Sequence, residues 1–499
     1  MSEKTAKSRD DWAAAARALD IRNRAFVDGA FVDAISGETF DCVNPATGAV
    51  LTEVSACDAA DVDVAVAAAR RSFEAGVWSR TAPAKRKTVL LKLAGLIREN
   101  LEELALLETL DTGKPIRDTL AVDIPGSAAY VQWYAEAIDK IYDEVAPTAP
   151  GNLALVRREP LGVVGAVVPW NFPLDMAVWK CAPALAAGNS VVLKPAEQSP
   201  LTALRFAELA HLAGVPAGVL NVVPGFGPTA GKALGVHMDV DCLAFTGSTE
   251  VGKYFQIYSG QSNLKQVWLE CGGKSPNLVF ADCGDLDTAA DMAALGIFYN
   301  QGEVCSATSR LLVERSIADT FVAKLVERAG KVKLGDPLDP ETTMGALIDE
   351  RHADRVAGYV EKGKATARLV CGGGRVSKGA SGAFVEPTIF TDVGKDAVIL
   401  TEEIFGPVLC VVPFDTEEEA IAVANDTIYG LAASVWTENL SRAHRVAERL
   451  KVGTVSVNTV DAVSPATPFG GFKQSGFGRD LSLHAFDKFT GLKTTWIKY

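Results

Sequence analysis

From Gly162 to Gly272 the chain alternates two patterns. Short apolar, β-rich runs (GVVGAVV, SVVLK, VLNVV, CLAFTG and, closing the series, KQVWLE) are separated by stretches with apolar residues at helical spacing. Strands without polar alternation are buried on both faces, and helices between them imply a parallel sheet. The pattern predicts a Rossmann-like unit with its ligand at the strand ends. A second alternation over roughly 276–455 (NLVF, RLLVE, the helical IADTFVAKLVERAG, then CVVPF and GTVSVN) predicts a second α/β domain. Ahead of both, residues 25–56 alternate strand-like runs with turn signals and predict a small antiparallel sheet. ADVDVAVAAARRSF and KRKTVLLKLAGLIRENLEELALLETL predict two long helices, and Asp123–Lys140 a third. The C-terminal FTGLKTTWIKY is a strand by its threonines and aromatics, suited to pairing with another strand, such as 152–159 (NLALVRRE). GGGRVSKGASGA (372–383) reads as a surface loop. The fold class is therefore α/β, with one domain from 1–144 and 162–272, a second from 273–484, and strand segments at 145–161 and 485–499.

Composition narrows the function classes. At 499 residues the chain suggests two or three domains, and 48% hydrophobic with 22% charged residues is a globular balance. A net charge of −13 argues against nucleic acid or an anionic membrane as the main partner. No apolar run approaches the roughly 20 residues that span a bilayer. The first 20 residues predict a charged amphipathic helix without a signal peptide's apolar core, so the expected location is cytoplasmic. Nine cysteines and five histidines are dispersed, with no CxxC and no Cys/His cluster, and no metal site is indicated.

Three strand ends carry ligand-type chemistry. Gly225-Phe-Gly227-Pro-Thr-Ala-Gly231 follows a strand and opens a helix, where glycines allow a pyrophosphate close approach. Its GxGxxxG spacing is one residue longer than the usual dinucleotide fingerprint. Lys194 and Glu197, ending SVVLK, offer a cation and a carboxylate to ribose hydroxyls. Phe245, Thr246, Gly247 and Ser248 end CLAF and open a helix with capping hydroxyls. Together they predict a nucleotide site. Glu197 would repel a 2′-phosphate, which favours NAD over NADP.

Ile297–Arg310 (IFYNQGEVCSATSR) joins a helical pattern to a short strand and sets Cys305 among polar and small residues. A cysteine at such a junction is either a small buried hydrophobe or, facing a pocket, a nucleophile. Asn171, in PWNFP, ends the first strand and can aim an amide at a reacting carbonyl; Glu270 ends the fifth.

At these residues the chain resembles the aldehyde dehydrogenase superfamily. PWNFP, KPAE, FTGSTEVG, LECGGKSP, NQGEVC, EEIFGPV and PFGGFKQSGFGR stand in that family's order, and the resemblance spans about residue 22 to 499. It implies NAD as cofactor, an NAD-binding first domain, a catalytic second domain, oligomerisation strands, and a homodimer or homotetramer. It also implies Cys305 as nucleophile, Glu270 as general base, and Asn171 with the Cys305 N–H as oxyanion hole. Trp170, Lys194, Glu197, Gly227, Gly231, Phe245, Thr246, Gly247 and Ser248 fall on the nucleotide side, with Glu403 and Phe405 at the nicotinamide. Cys271, beside Glu270, is the rival thiol and reads as structural.

Further blocks (ELALLETLDTGKPIRD, WYAEAIDK, GDPLDPETTMGALID, GRDLSLHA) resemble the aminoaldehyde branch, especially γ-glutamyl-γ-aminobutyraldehyde and 4-guanidinobutyraldehyde dehydrogenases. The resemblance puts Asp123 near the tunnel mouth, where it can attract a cationic tail. Asp175 stands where a hydrophobic tunnel residue is usual, so it contacts substrate or turns to water. Ser464, in NTVDAVSPAT, stands for an expected loop carboxylate. Phe172, Trp179 and Phe469 are aromatic tunnel candidates. The expected reaction is oxidation of a small aldehyde with a polar or cationic tail to its acid. The alternatives are a general aliphatic or semialdehyde dehydrogenase, or a non-catalytic nucleotide-binding scaffold.

Overall fold

A computed structural model describes residues 7–378 and 381–499. The predicted N-terminal helix is present as Arg9–Arg17, closed by a capping box from Ser8 to Asp11; its expected first residues, 1–6, lie outside the described residues.

The five apolar runs form five parallel strands at the centre of an eight-stranded sheet. Their spatial order is Leu220–Val222, Ser190–Lys194, Val163–Val167, Cys242–Thr246, Gln266–Glu270. The chain thus starts in the middle, winds one way, then crosses back and winds the other. The reversal falls between Val163–Val167 and Cys242–Thr246, which is where an open α/β sheet leaves a crevice at its carboxyl ends. The eighth strand, Gly476–Phe477, returns from far along the chain to pair antiparallel with Gln266–Glu270. It lies inside the 273–484 segment assigned above to the second domain.

The predicted single N-terminal sheet is divided instead. Ala25–Val27 is buried throughout, so it joins the large sheet beside Leu220–Val222, with Ala30–Val32 at the edge. Thr39–Val43 and Val50–Ser55 form a separate two-stranded ribbon. The long second helix is also two, Pro83–Glu99 and Leu101–Thr112. Asn100 breaks it at φ −103°, ψ 24°, its side chain donating back to Leu96 O at 2.7 Å. The third predicted helix runs Ile124–Ala137 after a π-helical stretch, Thr119–Asp123.

The second sheet has seven strands in the order Arg368–Cys371, Thr388–Thr391, Val408–Phe414, Arg310–Glu314, Pro276–Val279, Ala432–Trp436, Thr454–Val457. Only Arg368–Cys371 runs antiparallel to its neighbour. The segment expected as a surface loop is a hairpin of Arg375–Lys378 with Ser381–Val385; the latter buries Ala383, Phe384 and Val385, which holds it down. The C-terminal strand Thr490–Lys498 pairs with Asn152–Pro160 along its whole length, as the sequence predicts, and Glu144–Ala146 completes a three-stranded sheet.

Candidate active site

The helix Leu286–Phe298 ends just before Asn300 and Gln301, both in the left-handed region at φ 47° and 57°. Such backbone is strained for residues with a Cβ, so its surroundings must hold it. Asn300 Nδ2 donates to Asn171 O at 3.1 Å and Glu303 O at 3.2 Å, and Gln301 Oε1 accepts from Gly345 N at 3.1 Å. Two glycines let neighbouring backbone close on the loop. A Cβ on Gly302 would lie 2.3 Å from Gly406 O, and one on Gly273 would lie 2.3 Å from Cys305 O. The result presents Cys305, half-buried, on the wall of a cavity of about 840 Å³.

Asn171 lines the same cavity and is tied to that loop, its Nδ2 donating to Glu303 O at 2.8 Å. The amide has a second N–H to offer a ligand. Burial pushes the Cys305 thiol up, and Asp461, Glu403 and Glu270 push the same way. With no cation among the described residues lowering it, the thiol needs a base to take its proton.

Glu270 is the candidate for it. Neither carboxylate oxygen has a hydrogen-bond partner among the described residues, though both are buried, and the side chain lines the cavity. Burial first, then Asp480, raises it to about 8, against the opposing pull of Lys180, Lys488 and Arg479. Asp480 is itself bonded by both lysines. A Cβ on Gly470 would sit 2.6 Å from Glu270 Oε1, so a larger residue there would crowd the base. Cys271 also borders the cavity but is almost fully buried, pushed up to about 12 mainly by burial, with its Sγ against the Gly252 backbone.

The carboxyl ends flanking the crevice line one side of the cavity: Trp170 after the first strand and Thr246, Gly247 and Ser248 after the fourth. Thr246 Oγ1 is buried without a partner among the described residues, and Ser248 caps the helix Thr249–Gln261, accepting from Val251 N at 3.2 Å. Glu403 Oε1 accepts from Gly273 N at 2.9 Å; burial raises it to about 7. A Cβ on Gly272 would fall 2.1 Å from Glu403 Oε2. Phe405, at φ 61°, sets its ring edge-on to Trp170, 5.3 Å between centroids, and its carbonyl 2.7 Å from His352 Nε2.

Aromatic rings line the other side. Trp179 packs edge-on against Tyr130 at 5.6 Å and Phe469 at 5.4 Å, and Phe172 lies 6.4 Å from Tyr299. Two carboxylates interrupt this wall, Asp175 and Asp461. Asp461 Oδ1 accepts from Ser306 Oγ at 2.6 Å, next to the nucleophile.

Residues 31–495 match the model of the aldehyde dehydrogenase family. The chain belongs to that family. It is 56% identical to the NADP/NAD-dependent aldehyde dehydrogenase PuuC of Escherichia coli (strain K12) over 486 residues, 97% of this chain and 98% of the relative. Two solved structures are each 59% identical and cover 99% of this chain and 100% of their own. The indole-3-acetaldehyde dehydrogenase AldA of P. syringae, in complex with NAD+, superposes with a TM-score of 0.98. The γ-glutamyl-γ-aminobutyraldehyde dehydrogenase of Burkholderia cenocepacia J2315 superposes with a TM-score of 0.97. This aldehyde dehydrogenase is an oxidoreductase with NAD as its cofactor.

The dehydrogenase's own residues fit that dinucleotide. Gly227 has open space where a Cβ would stand, and a Cβ on Gly231 would meet nothing closer than 4.0 Å, so protein packing demands neither glycine. The buried Lys194 ammonium has one protein partner, Glu197 Oε2 at 3.0 Å, among the described residues, leaving two N–H donors for a ligand. Three expectations need correction. Phe245 is turned into the core against Phe255, 5.0 Å between centroids, and does not line the cavity. Asp123 is fully buried behind the wall, bonded to Lys114, because a lone cation there needs a counter-charge. Ser464 stands off the cavity, accepting from Ala466 N at 3.3 Å, and the loop carboxylate is supplied by Asp461 three residues earlier. The sequence reading missed Asp461 and Asp480, and also Tyr130 and Tyr299. The NTVD tetrapeptide before the PFGG block was the available signal for Asp461.

Proposed function

We propose that this dehydrogenase oxidises aldehydes with a positively charged or strongly polar tail, aminoaldehydes in the first place. The observation that carries this reading is Asp175, one of two carboxylates on the aromatic-lined tunnel wall, with no cation within ion-pair distance among the described residues. The names of an aminoacetaldehyde dehydrogenase of Pseudomonas aeruginosa and of the γ-glutamyl-γ-aminobutyraldehyde relative support it; the indole-3-acetaldehyde relative, with a neutral aromatic substrate in its name, makes an arylacetaldehyde the second reading.

In the proposed chemistry Glu270 takes the Cys305 proton, and the thiolate adds to the aldehyde carbon. Asn171 Nδ2 and the Cys305 N–H hold the oxyanion that forms. Bound NAD would supply the acceptor for the hydride that this carbon gives up as the thioester forms. Glu403 and Phe405 would bound its nicotinamide side, while Lys194 and Glu197 would hold the adenosine ribose. Glu197 disfavours a 2′-phosphate, so NAD is preferred over NADP. Glu270 passes that proton to solvent and then deprotonates a water, which adds to the Cys305 thioester; the C–S bond breaks, Cys305 leaves as the thiolate, and the acid forms. A base at this position makes hydrolysis fit better than acyl transfer to coenzyme A. The exposed C-terminal strand supports a homodimer or homotetramer, and no described helix is long and apolar enough to cross a membrane, in keeping with a cytoplasmic enzyme.

The test is kcat/KM for NADH formation with 4-aminobutyraldehyde, 4-guanidinobutyraldehyde, a γ-glutamylated aminobutyraldehyde, indole-3-acetaldehyde and hexanal. The charged or γ-glutamylated tails should lead, and Cys305→Ala should abolish turnover of all five. A lead for hexanal or the indole aldehyde would overturn the proposed substrate class.

A further inference from the structure

The tunnel wall is backed by a charge imbalance that the oxidation chemistry does not use. Lys114 follows the helix Leu101–Thr112 and is fully buried. Its ammonium lies 3.4 Å from Glu108 Oε1, is bonded to Asp123 Oδ1, and sits 3.8 Å from the centroid of the Phe172 ring. Asp175, on the helix Pro173–Ala187, adds a third carboxylate to this neighbourhood and is the one that also lines the cavity. Glu108 and Asp123 occupy the ammonium. Asp175 has only the Ser127 hydroxyl, donating to Oδ1 at 2.5 Å, and Oδ2 has no hydrogen-bond partner among the described residues.

The groups facing Asp175 come from every element around it. Asp123 and Tyr130 face it from 119–137, Glu108 and Lys114 from the helix Leu101–Thr112 and its turn, Tyr299 from the nucleophile segment, and Asp461 from beyond Tyr130. All but Lys114 are acidic or neutral. A carboxylate in such a setting keeps its proton until a second cation arrives. Burial and Asp123 accordingly hold it at about 8. One helical turn on, Trp179 shares its face, and Tyr130 packs on that ring to bound a site for a cation.

We infer that Asp175 is the tail-binding carboxylate of the tunnel, and that it ionises as a cationic tail enters. The carboxyl O–H breaks, its proton goes to solvent, and the carboxylate pairs with the ammonium or guanidinium of the aldehyde. The inference rests on the cationic-tail reading above and specifies how that tail is read.

The test is the ratio of kcat/KM for 4-guanidinobutyraldehyde to that for hexanal, at saturating NAD, from pH 6.5 to 9. A guanidinium stays charged throughout, and effects of pH on the shared chemistry cancel in the ratio. The ratio should rise about tenfold between pH 7 and pH 9, as an acid of pKa near 8 ionises. Asp175→Asn should flatten it and lower it at pH 9 by about tenfold or more; a poorly folded variant loses both activities and leaves the ratio readable. Stopped-flow mixing of the enzyme–NAD complex with n-butylguanidine in weak buffer at pH 7 should release close to one proton per subunit, and none from Asp175→Asn. A wild-type preference for hexanal at every pH would reject the cationic-tail reading itself. A guanidino preference that is independent of pH, or that survives Asp175→Asn and disappears in Asp461→Asn, would leave that reading standing and overturn this inference. No proton release from the wild type would overturn it as well.

Discussion

At the scale of single residues, the proposed chemistry turns on Cys305 and Glu270, both of which burial keeps protonated. Glu270 is a carboxyl that burial raises to about 8, so at neutral pH most of it keeps its proton. The proposed hydrolytic step needs the ionised form. Turnover limited by that step should climb with pH and level off above about 8, and Glu270→Gln should remove the climb and slow the first burst of NADH as well, since the same carboxylate takes the Cys305 proton. Stopped-flow and steady-state rates across pH 6–9 measure both. Asn171→Ala should lower kcat by about 10²–10³, the usual cost of one oxyanion donor, with a smaller change in KM. Much of this site was legible in the sequence, because Asn171, Glu270 and Cys305 stand in short motifs fixed to strand ends. What was not legible is charge pairing across distant segments. Asp123 looked like a mouth residue in its helix and became the buried partner of Lys114 only through folding.

At the scale of elements, Cys305 is positioned by loops that close on one another without side chains between them. Gly273 passes beneath Cys305 so closely that no Cβ fits, and the same segment donates N–H to Glu403. Gly273→Ala should therefore displace the nucleophile loop, lowering kcat at least a hundredfold and melting temperature by several degrees, as circular dichroism melts and NADH assays would record. Its cost follows from a backbone clash rather than lost burial, in the range of other small-to-large changes at about 1–3 kcal/mol or more. The five parallel strands were visible as continuous apolar runs, since burial on both faces writes itself into composition. Thr388–Thr391 and Ala432–Trp436 were not, being four or five residues long with small or polar members. Nor was the break at Asn100, because both halves keep the same apolar period and only a local side-chain bond ends the first.

At the scale of the molecule, the three-stranded sheet leaves Leu492 and Trp496 each 63% exposed, on one face of a long strand. A patch of this kind on a strand pairing only on one side is suited to another copy of the chain. Trp496→Glu should shift the protein toward a smaller species in sedimentation velocity, with the melting temperature of each subunit little changed. An unaltered sedimentation coefficient would move the interface elsewhere.

The return of Gly476–Phe477 to the first sheet also sets an order of events during synthesis. The strand Gln266–Glu270, which carries the base, is the sheet's last parallel member and has an open edge until residues some 200 positions later leave the ribosome. Over that interval, about two fifths of translation, the first sheet offers an unpaired strand to any neighbouring nascent chain. A chain released before residue 476 would fold its nucleotide crevice, expose that edge, and accumulate as aggregate rather than as a slow enzyme.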